Sequence, residues 1–257
     1  MKKIKILISI IIISLAGQTV HAKNDHFYFK GDISSTNIFT FFIGTGLTAL
    51  INYKTNEFTY DNYWMFPSIS GSMDGVYKEN IIKDMFDNIG TGVKLGYQST
   101  DFSFFNWAAY GSLHYRYNTY NTMIKRLYPS PSMSSVDDVH RVQLGIGGHV
   151  ILGSPENFVR GKIDFGLRYN VPFSYKGNWG DGPGCLNKGI SPVFLFMIGG
   201  GEKWMKKIKV NMNIGFMVEL APYNMFKTSE VITKDDTYKV NYIGVNFTLC
   251  PWSDKLR

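Results

Sequence analysis

Charge, cysteine and long apolar runs are all scarce in this chain of 257 residues, and each scarcity closes off a class of protein. Charged residues make up only 18%, too few for a charged disordered tail, while 44% hydrophobic residues are enough to build a packed domain. The two cysteines, Cys185 and Cys250, could form one bridge at most. Cys185 lies in a glycine-rich loop and Cys250 at the end of the last apolar segment, so the two are expected at opposite ends of the fold and unbonded. The one long apolar run, residues 6–15, is shorter than the roughly 20 residues a helix needs to cross a bilayer. A helical membrane bundle is excluded with it.

Aromatic residues, by contrast, reach 16%, as 19 Phe, 16 Tyr and 5 Trp, and 26 glycines accompany them. That combination favours strands and turns over helices. At the amino end, Lys2, Lys3 and Lys5 precede the apolar run, and Val20-His21-Ala22 offers small side chains where a signal peptidase reads. Residues 1–22 are therefore expected to be a secretory signal and residues 23–257 a single domain, with no repeat or linker to mark a second one. Lys23, not cysteine, follows the expected cut, so no lipid attachment is expected there. Three of the 27 basic residues leave with the signal, against 20 acidic ones, and the small positive excess that remains does not call for a nucleic-acid partner.

What organises the rest is alternation of period two. Across residues 159–171 one face reads Val159, Gly161, Ile163, Phe165, Leu167, Tyr169, Val171 and the other Arg160, Lys162, Asp164, Gly166, Arg168, Asn170. Residues 89–98, 140–152 and 207–220 alternate in the same way. Further strands are expected at 39–51, 58–66, 104–117 and 243–249, another at 190–198, which is apolar on both faces, and a short one at 26–33. Links are short at 99–101, 153–157 and 201–206 and long and polar at 70–88, 119–138, 174–188 and 221–237.

Alternation alone does not say which face is inside, because a soluble lipocalin-like barrel carries the same period with its apolar face inward. Two features favour an apolar exterior. Gly145, Gly147, Gly166, Gly215 and Gly244 sit on the polar face, where missing side chains relieve crowding in a narrow tube. Trp64, Phe66, Tyr115, Tyr117, Tyr169 and Tyr242 gather toward strand ends, the place for interfacial girdles.

With its signal MKKIKILISIIIISLAGQTVHA, the hairpin VQLGIGGHVILGSPENFVRGKIDFGLRYNV and the last strand IGVNFTL, the chain resembles small outer-membrane β-barrel proteins of Gram-negative bacteria. The resemblance covers the mature chain through pattern and not through a fixed motif, and residues 248–257 follow Phe247 where such barrels often end on an aromatic. It implies an all-β fold, a single antiparallel up-and-down transmembrane barrel in the cell outer membrane, with short periplasmic turns and long extracellular loops. Both termini on the periplasmic side require an even number of strands, so ten are expected, with eight as the alternative. The implied partners are outer-membrane lipids and lipopolysaccharide, with the barrel assembly machinery during insertion, and the protein is expected to be monomeric.

The expected lumen-lining residues are Arg141, His149, Arg160, Lys162, Asp164, Arg168, Lys207, Lys209, Asn211 and Glu219. They read either as an internal salt-bridge network or, since basic groups outnumber acids among them, as a narrow anion-leaning pore. No catalytic residue is legible: His149 and His114 point inward by parity, and His140 stands near a strand entrance. The pairs Asp137-Asp138 and Asp235-Asp236 are expected in outer loops, as solvated charge or as ion bridges to lipopolysaccharide. No metal or cofactor is expected; loop 177–185 carries no phosphate-binding lysine and opens no helix. The expected role is non-enzymatic, structural or surface contact, with the pore as the alternative and a lipid-modifying enzyme as the second alternative.

Overall fold

The computed structural model describes residues 26–55, 59–72, 79–81, 85–99, 105–121, 136–153, 159–177, 182–200, 207–208, 210–228 and 237–251. In chain order the elements are β1 (Phe27–Ser35), α1 (Ile38–Thr55), β2 (Thr59–Ser72), β3 (Glu79–Ile81), β4 (Met85–Gln98), β5 (Phe105–Asn121), β6 (Val136–Leu152), β7 (Val159–Lys176), β8 (Gly189–Gly200), β9 (Val210–Glu219) and β10 (Thr237–Pro251). From β4 to β10 each strand pairs antiparallel with the next, β10 pairs antiparallel with β2, and β4 with β1. The ring closes where β1 lies parallel to β2, Lys30 opposite Thr59 and Ser35 opposite Trp64. The barrel therefore has nine strands; β3 is a three-residue strand on the edge of β2 that β1 leaves uncovered beyond Ser35.

Two expectations change here. Residues 39–51 do not form a strand: they belong to α1. The ladder is also not wholly up-and-down, because one pair of strands is parallel. The two corrections have one cause. A parallel pair needs a crossover that returns the chain to the end it started from, and α1 is that crossover. Its 18 residues span about 27 Å, enough to run back along the barrel wall. Ten traverses of the wall remain, nine of strand and one of helix, so the chain still enters β1 and leaves β10 at the same end, the end where β4 gives way to β5 and β6 to β7.

The helix begins where the Asn37 side chain accepts hydrogen bonds from the amides of Phe39 (2.8 Å) and Thr40 (3.3 Å), an N-cap. It lies on the outer surface of β1, β2 and β10 and meets them with Gly44, Thr45, Thr48 and Asn52, flanked by Phe41 and Ile51. Asn62 of β2, on the outward face, donates to the Phe41 carbonyl and to the Thr45 hydroxyl, both at 2.7 Å. Asn52 accepts from the Tyr60 amide (2.7 Å) and donates to the carbonyls of Tyr60 (3.2 Å) and Leu249 (3.3 Å). Gly44 lets the helix come this close, since a β-carbon there would press on the Asn62 amide. Below it, Phe29, Tyr60 and Val93 form a small apolar cluster against Ile51.

The polarity of the strands is inside-out. On β7, Ile163, Phe165 and Leu167 are exposed on the outer face, whereas Asp164, Arg168 and Asn170 are buried within. Phe165 is 45% exposed and Ile214 50%, against 2% for Glu219. Interior glycines make room for large neighbours: Gly147 lies beneath the Tyr110 ring and Gly244 against Met65. On β8, apolar on both faces, Phe194, Phe196 and Ile198 face out while Val193, Leu195 and Met197 face in and join Met65 and Met217 as an apolar wall of the interior.

Asn52→Ala removes the side chain that bridges α1 to the seam and touches nothing in the interior. It is expected to lower barrel stability by about 1–3 kcal/mol through the backbone groups left unpaired, seen as a lower urea midpoint for loss of the heat-modifiable folded band. An unchanged midpoint would mean that the helix adds nothing to the seam.

Candidate functional site

Alternate residues of nine strands converge on the barrel axis, and with water largely excluded their charges must answer one another. Three clusters do so. Asp61 receives Lys30 Nζ at 2.8 Å, the Thr248 hydroxyl, and the Tyr63 hydroxyl at 3.3 Å. Asp164 receives Lys94 Nζ at 2.8 Å and the Tyr110 hydroxyl, with Lys162 Nζ 3.8 Å away; Lys94 also donates to Tyr110 at 3.0 Å. Glu219 receives Arg116 (3.0 Å), Arg168 (3.1 Å) and the Gln143 amide (2.7 Å). Gln143 extends this cluster to Asn170 (2.6 Å) and Asn170 to Ser191 (2.8 Å), while Arg116 lies over the Tyr242 ring with 4.3 Å to its centroid. A smaller contact joins His114 to Asp32 at 3.2 Å.

Of the residues singled out from the sequence, the structure brings Lys162, Asp164, Arg168 and Glu219 into these clusters and buries Arg141 and His149 on the same inner side. Arg160 bends to the Gly153 carbonyl, 3.2 Å away, at the turn between β6 and β7. His149 meets the Tyr28 ring edge-on. Lys207 is a correction: it is exposed, in a helical segment ahead of β9, because the ladder begins only at Val210. Asn211 belongs to β9, opposite Cys250, and Lys209 lies outside the described residues. Tyr242 is no girdle residue; it is buried under Arg116. Asp137 and Asp138 are not in a loop but in β6, Asp137 bonded to the buried Tyr175 hydroxyl (3.1 Å) and Asp138 to Tyr117 (2.8 Å) on the outer face. Asp235 and Asp236 lie outside the described residues.

Lys30, Asp32, Asp61, Lys94 and Arg116 carry half of these contacts and were not singled out. Their signal is the same parity: Lys30 and Asp32 lie in the nine-residue β1 and Asp61 near the start of β2, where few alternations precede them, while Lys94 and Arg116 share the inward parity of β4 and β5. With them the interior carboxylates become numerous enough to meet most of the basic groups, and Lys207 no longer adds to the positive side.

The far mouth, opposite the end where the chain enters and leaves, is capped. Residues 182–188 and 221–228 meet there: Leu186 bridges Phe226, the Asn187 amide donates to the Met225 carbonyl (2.8 Å), and the Lys227 amide donates to the Cys185 carbonyl (2.8 Å). Leu186, Met225 and Phe226 are buried against Tyr175, Tyr238 and Val240. Burial pushes the Tyr223 hydroxyl above the usual phenol range, so it stays neutral where it faces Arg141 and hydrogen-bonds Ser191. Among the described residues, two cavities, one beneath this cap and one beside Asp164, measure about 10 Å³ each, room for one water at most. Cys185 forms no disulfide and sits in the cap, its thiol donating to the Gly182 carbonyl (3.3 Å). Among the described residues no three metal-ligating side chains gather.

On the outer face, aromatic rings cluster at both ends. His26, Tyr97 and Trp107 stack at the end where the chain enters and leaves. Tyr115, Tyr117, His140 and Phe173 group at the other, with the Tyr115 hydroxyl 2.8 Å from His140 Nδ1. From Trp107 to Tyr115 along β5 is about 26 Å, or roughly 20 Å of height at the usual tilt of about 40°.

No protein-family profile and no curated protein matches the chain. Among solved structures, the chain resembles outer-membrane β-barrels. Neisserial surface protein A (NspA) shares 12% identity over 74% of this chain and 92% of its own, at a TM-score of 0.33. Ail, the attachment invasion locus protein of Yersinia pestis, solved with the heparin analogue sucrose octasulfate, shares 12% over 74% of this chain and 94% of its own, at 0.31. Scores this low bear neither on function nor on finer architecture.

Glu219→Ala leaves Arg116 and Arg168 as buried cations without a counter-charge. It is expected to cost about 3–5 kcal/mol, and Lys207→Ala, at an exposed site, less than about 0.5 kcal/mol. Urea midpoints of the two refolded variants measure the difference, and equal midpoints would contradict the buried network.

Proposed function

We propose that this chain is an outer-membrane β-barrel whose closed interior serves stability, so that its role is non-enzymatic: structural support of the membrane, or contact through the loops at the capped end. The observation that carries this reading is the inverted polarity, with a continuous apolar outer surface and a charged, hydrogen-bonded axis. Water would not sustain an exterior of Ile163, Phe165, Ile214 and Phe216, whereas hydrocarbon solvates it and leaves a closed ladder no unpaired edge. The aromatic clusters at the two ends of the outer face fit the two interfaces of a bilayer. Residues 1–22, read as a secretory signal, agree with export.

The connections divide by length in the way such barrels require. At one mouth the described elements are separated in sequence by residues 56–58, 99–104, 153–158 and 201–209; at the other by 73–84, with β3 within it, 122–135, 177–188 and 220–236, while 36–37 there only turns β1 into α1. We place the second set outside the cell, with the surface contacts.

A narrow anion-leaning pore is the second reading, favoured by the basic side chains Lys94, Arg116, Arg141, Lys162 and Arg168 along the axis. Cavities of one-water size weigh against steady conduction.

In a planar bilayer the protein is expected to be silent. Steady conductance with anion preference, weakened by Arg160→Glu and Lys162→Glu, would establish the pore instead. A changed lipid A mass on expression would move the assignment to a lipid-modifying enzyme. Phe165→Asp and Ile214→Asp are each expected to block assembly, at an unfavourable burial of up to about 2 kcal/mol near the bilayer middle; normal heat-modifiable migration of both would overturn the membrane orientation.

A further inference from the structure

Helix α1 is built backwards for a protein in water. Its polar and small residues Gly44, Thr45, Thr48 and Asn52 press on the barrel together with Phe41 and Ile51, and its other large apolar residues point away. Phe39 is 75% exposed and Ile43 72%, more than any outward side chain of the strands, and Phe42, Leu47, Leu50 and Tyr53 continue the same stripe at helical spacing. The only other exposed position between Ile38 and Tyr53 is Gly46.

No helix among the described residues is long and apolar enough to cross a membrane by itself. The polar groups that dilute α1 are nevertheless satisfied without water. The Thr45 hydroxyl bonds back to the Phe41 carbonyl (3.0 Å) and that of Thr48 to the Thr45 carbonyl (3.1 Å), while Asn52 is spent on the seam. What a surrounding medium meets is apolar, and no charged residue occurs before Lys54. The helix starts near the capped end and finishes near the other, and its length of about 27 Å is close to the apolar height of about 25 Å of an outer-membrane barrel.

We propose that α1 lies within the hydrocarbon layer, crossing it alongside the strands and taking lipid acyl chains on the face formed by Phe39, Phe42, Ile43, Leu47, Leu50 and Tyr53. The inference rests on the membrane reading above and extends it from the strands to a helix. Acyl chains are the occupant because the stripe continues the apolar surface of the barrel, so one medium must cover both. The helix then shields the parallel seam: Tyr60, Asn62 and the outer side of β1 meet protein instead of lipid.

The test uses the full-length mature chain with Cys185→Ser and Cys250→Ser, reconstituted in phosphatidylcholine vesicles, with single nitroxide labels at Ile43→Cys, Leu47→Cys and Leu50→Cys. Phe165→Cys and Ile214→Cys report the strands, and Lys207→Cys an exposed site. Collision with dissolved oxygen is expected to exceed collision with a water-soluble nickel chelate at the three helix sites by the same factor as at Phe165 and Ile214, with the reverse at Lys207. Nickel access at the helix sites alone overturns the inference and leaves the membrane barrel standing. Nickel access at Phe165 and Ile214 as well overturns the membrane reading itself. Spin–spin broadening at Ile43→Cys that disappears on dilution with unlabelled protein means that a second copy, not lipid, covers the stripe, and overturns it too.

Discussion

A ring of strands leaves no backbone donor or acceptor at an edge only if it closes, and here closure depends on a parallel pair. Antiparallel strands can be joined by a turn, but β1 and β2 run in the same direction, so the chain must travel the length of the barrel between them. That single constraint explains the helix, the odd number of strands and the placement of both chain ends at one mouth. It also explains why Asn52 and Asn62, polar residues on an otherwise apolar exterior, are there: each binds backbone or side-chain groups where helix and strand meet.

The interior is the counterpart of that exterior. Taking a carboxylate or an ammonium out of water costs several kcal/mol unless its charge and hydrogen bonds are met. Asp61, Asp164 and Glu219 each gather at least one cation and at least one neutral donor, which is how such a cost is offset. Where β8 turns Val193, Leu195 and Met197 inward the filling changes to ordinary apolar packing. The tube is therefore solid on one side by packing and on the other by ion pairing, and the cap of residues 182–188 and 221–228 completes it.

The strands were legible because alternation is a local property. In 159–171 every charged residue occupies one parity and every large apolar residue the other, and β7 carries them on opposite sides. Residues 39–51 were not, because two periods coexist there: Phe39, Phe41, Ile43 and Leu47 fit a strand, while Phe39, Phe42, Ile43, Leu47 and Leu50 fit a helix. The Asn37 cap tips the balance locally, but the partner that satisfies the helix, Asn62, stands on the next strand. Nothing in a single segment specifies a parallel neighbour. Tyr242 and Lys207 fail for related reasons: the first is an aromatic drawn inward by Arg116, and the second continues an alternation beyond the point where its ladder begins.

The order of strands around the ring has a consequence for how a tube is made from a chain. Without β10, the other eight strands already form one unbroken ladder, from β2 through β1 and β4 to β9. Its two free edges are β2 and β9, and both are partners of β10. The first and last strands do not pair with each other. On the β2 edge Asn62 is paired only by Phe247, far along the chain. The final strand in sequence is thus the keystone of the ring: without it the ladder is an open sheet, and one of its two borders, β2, is the strand that the helix braces.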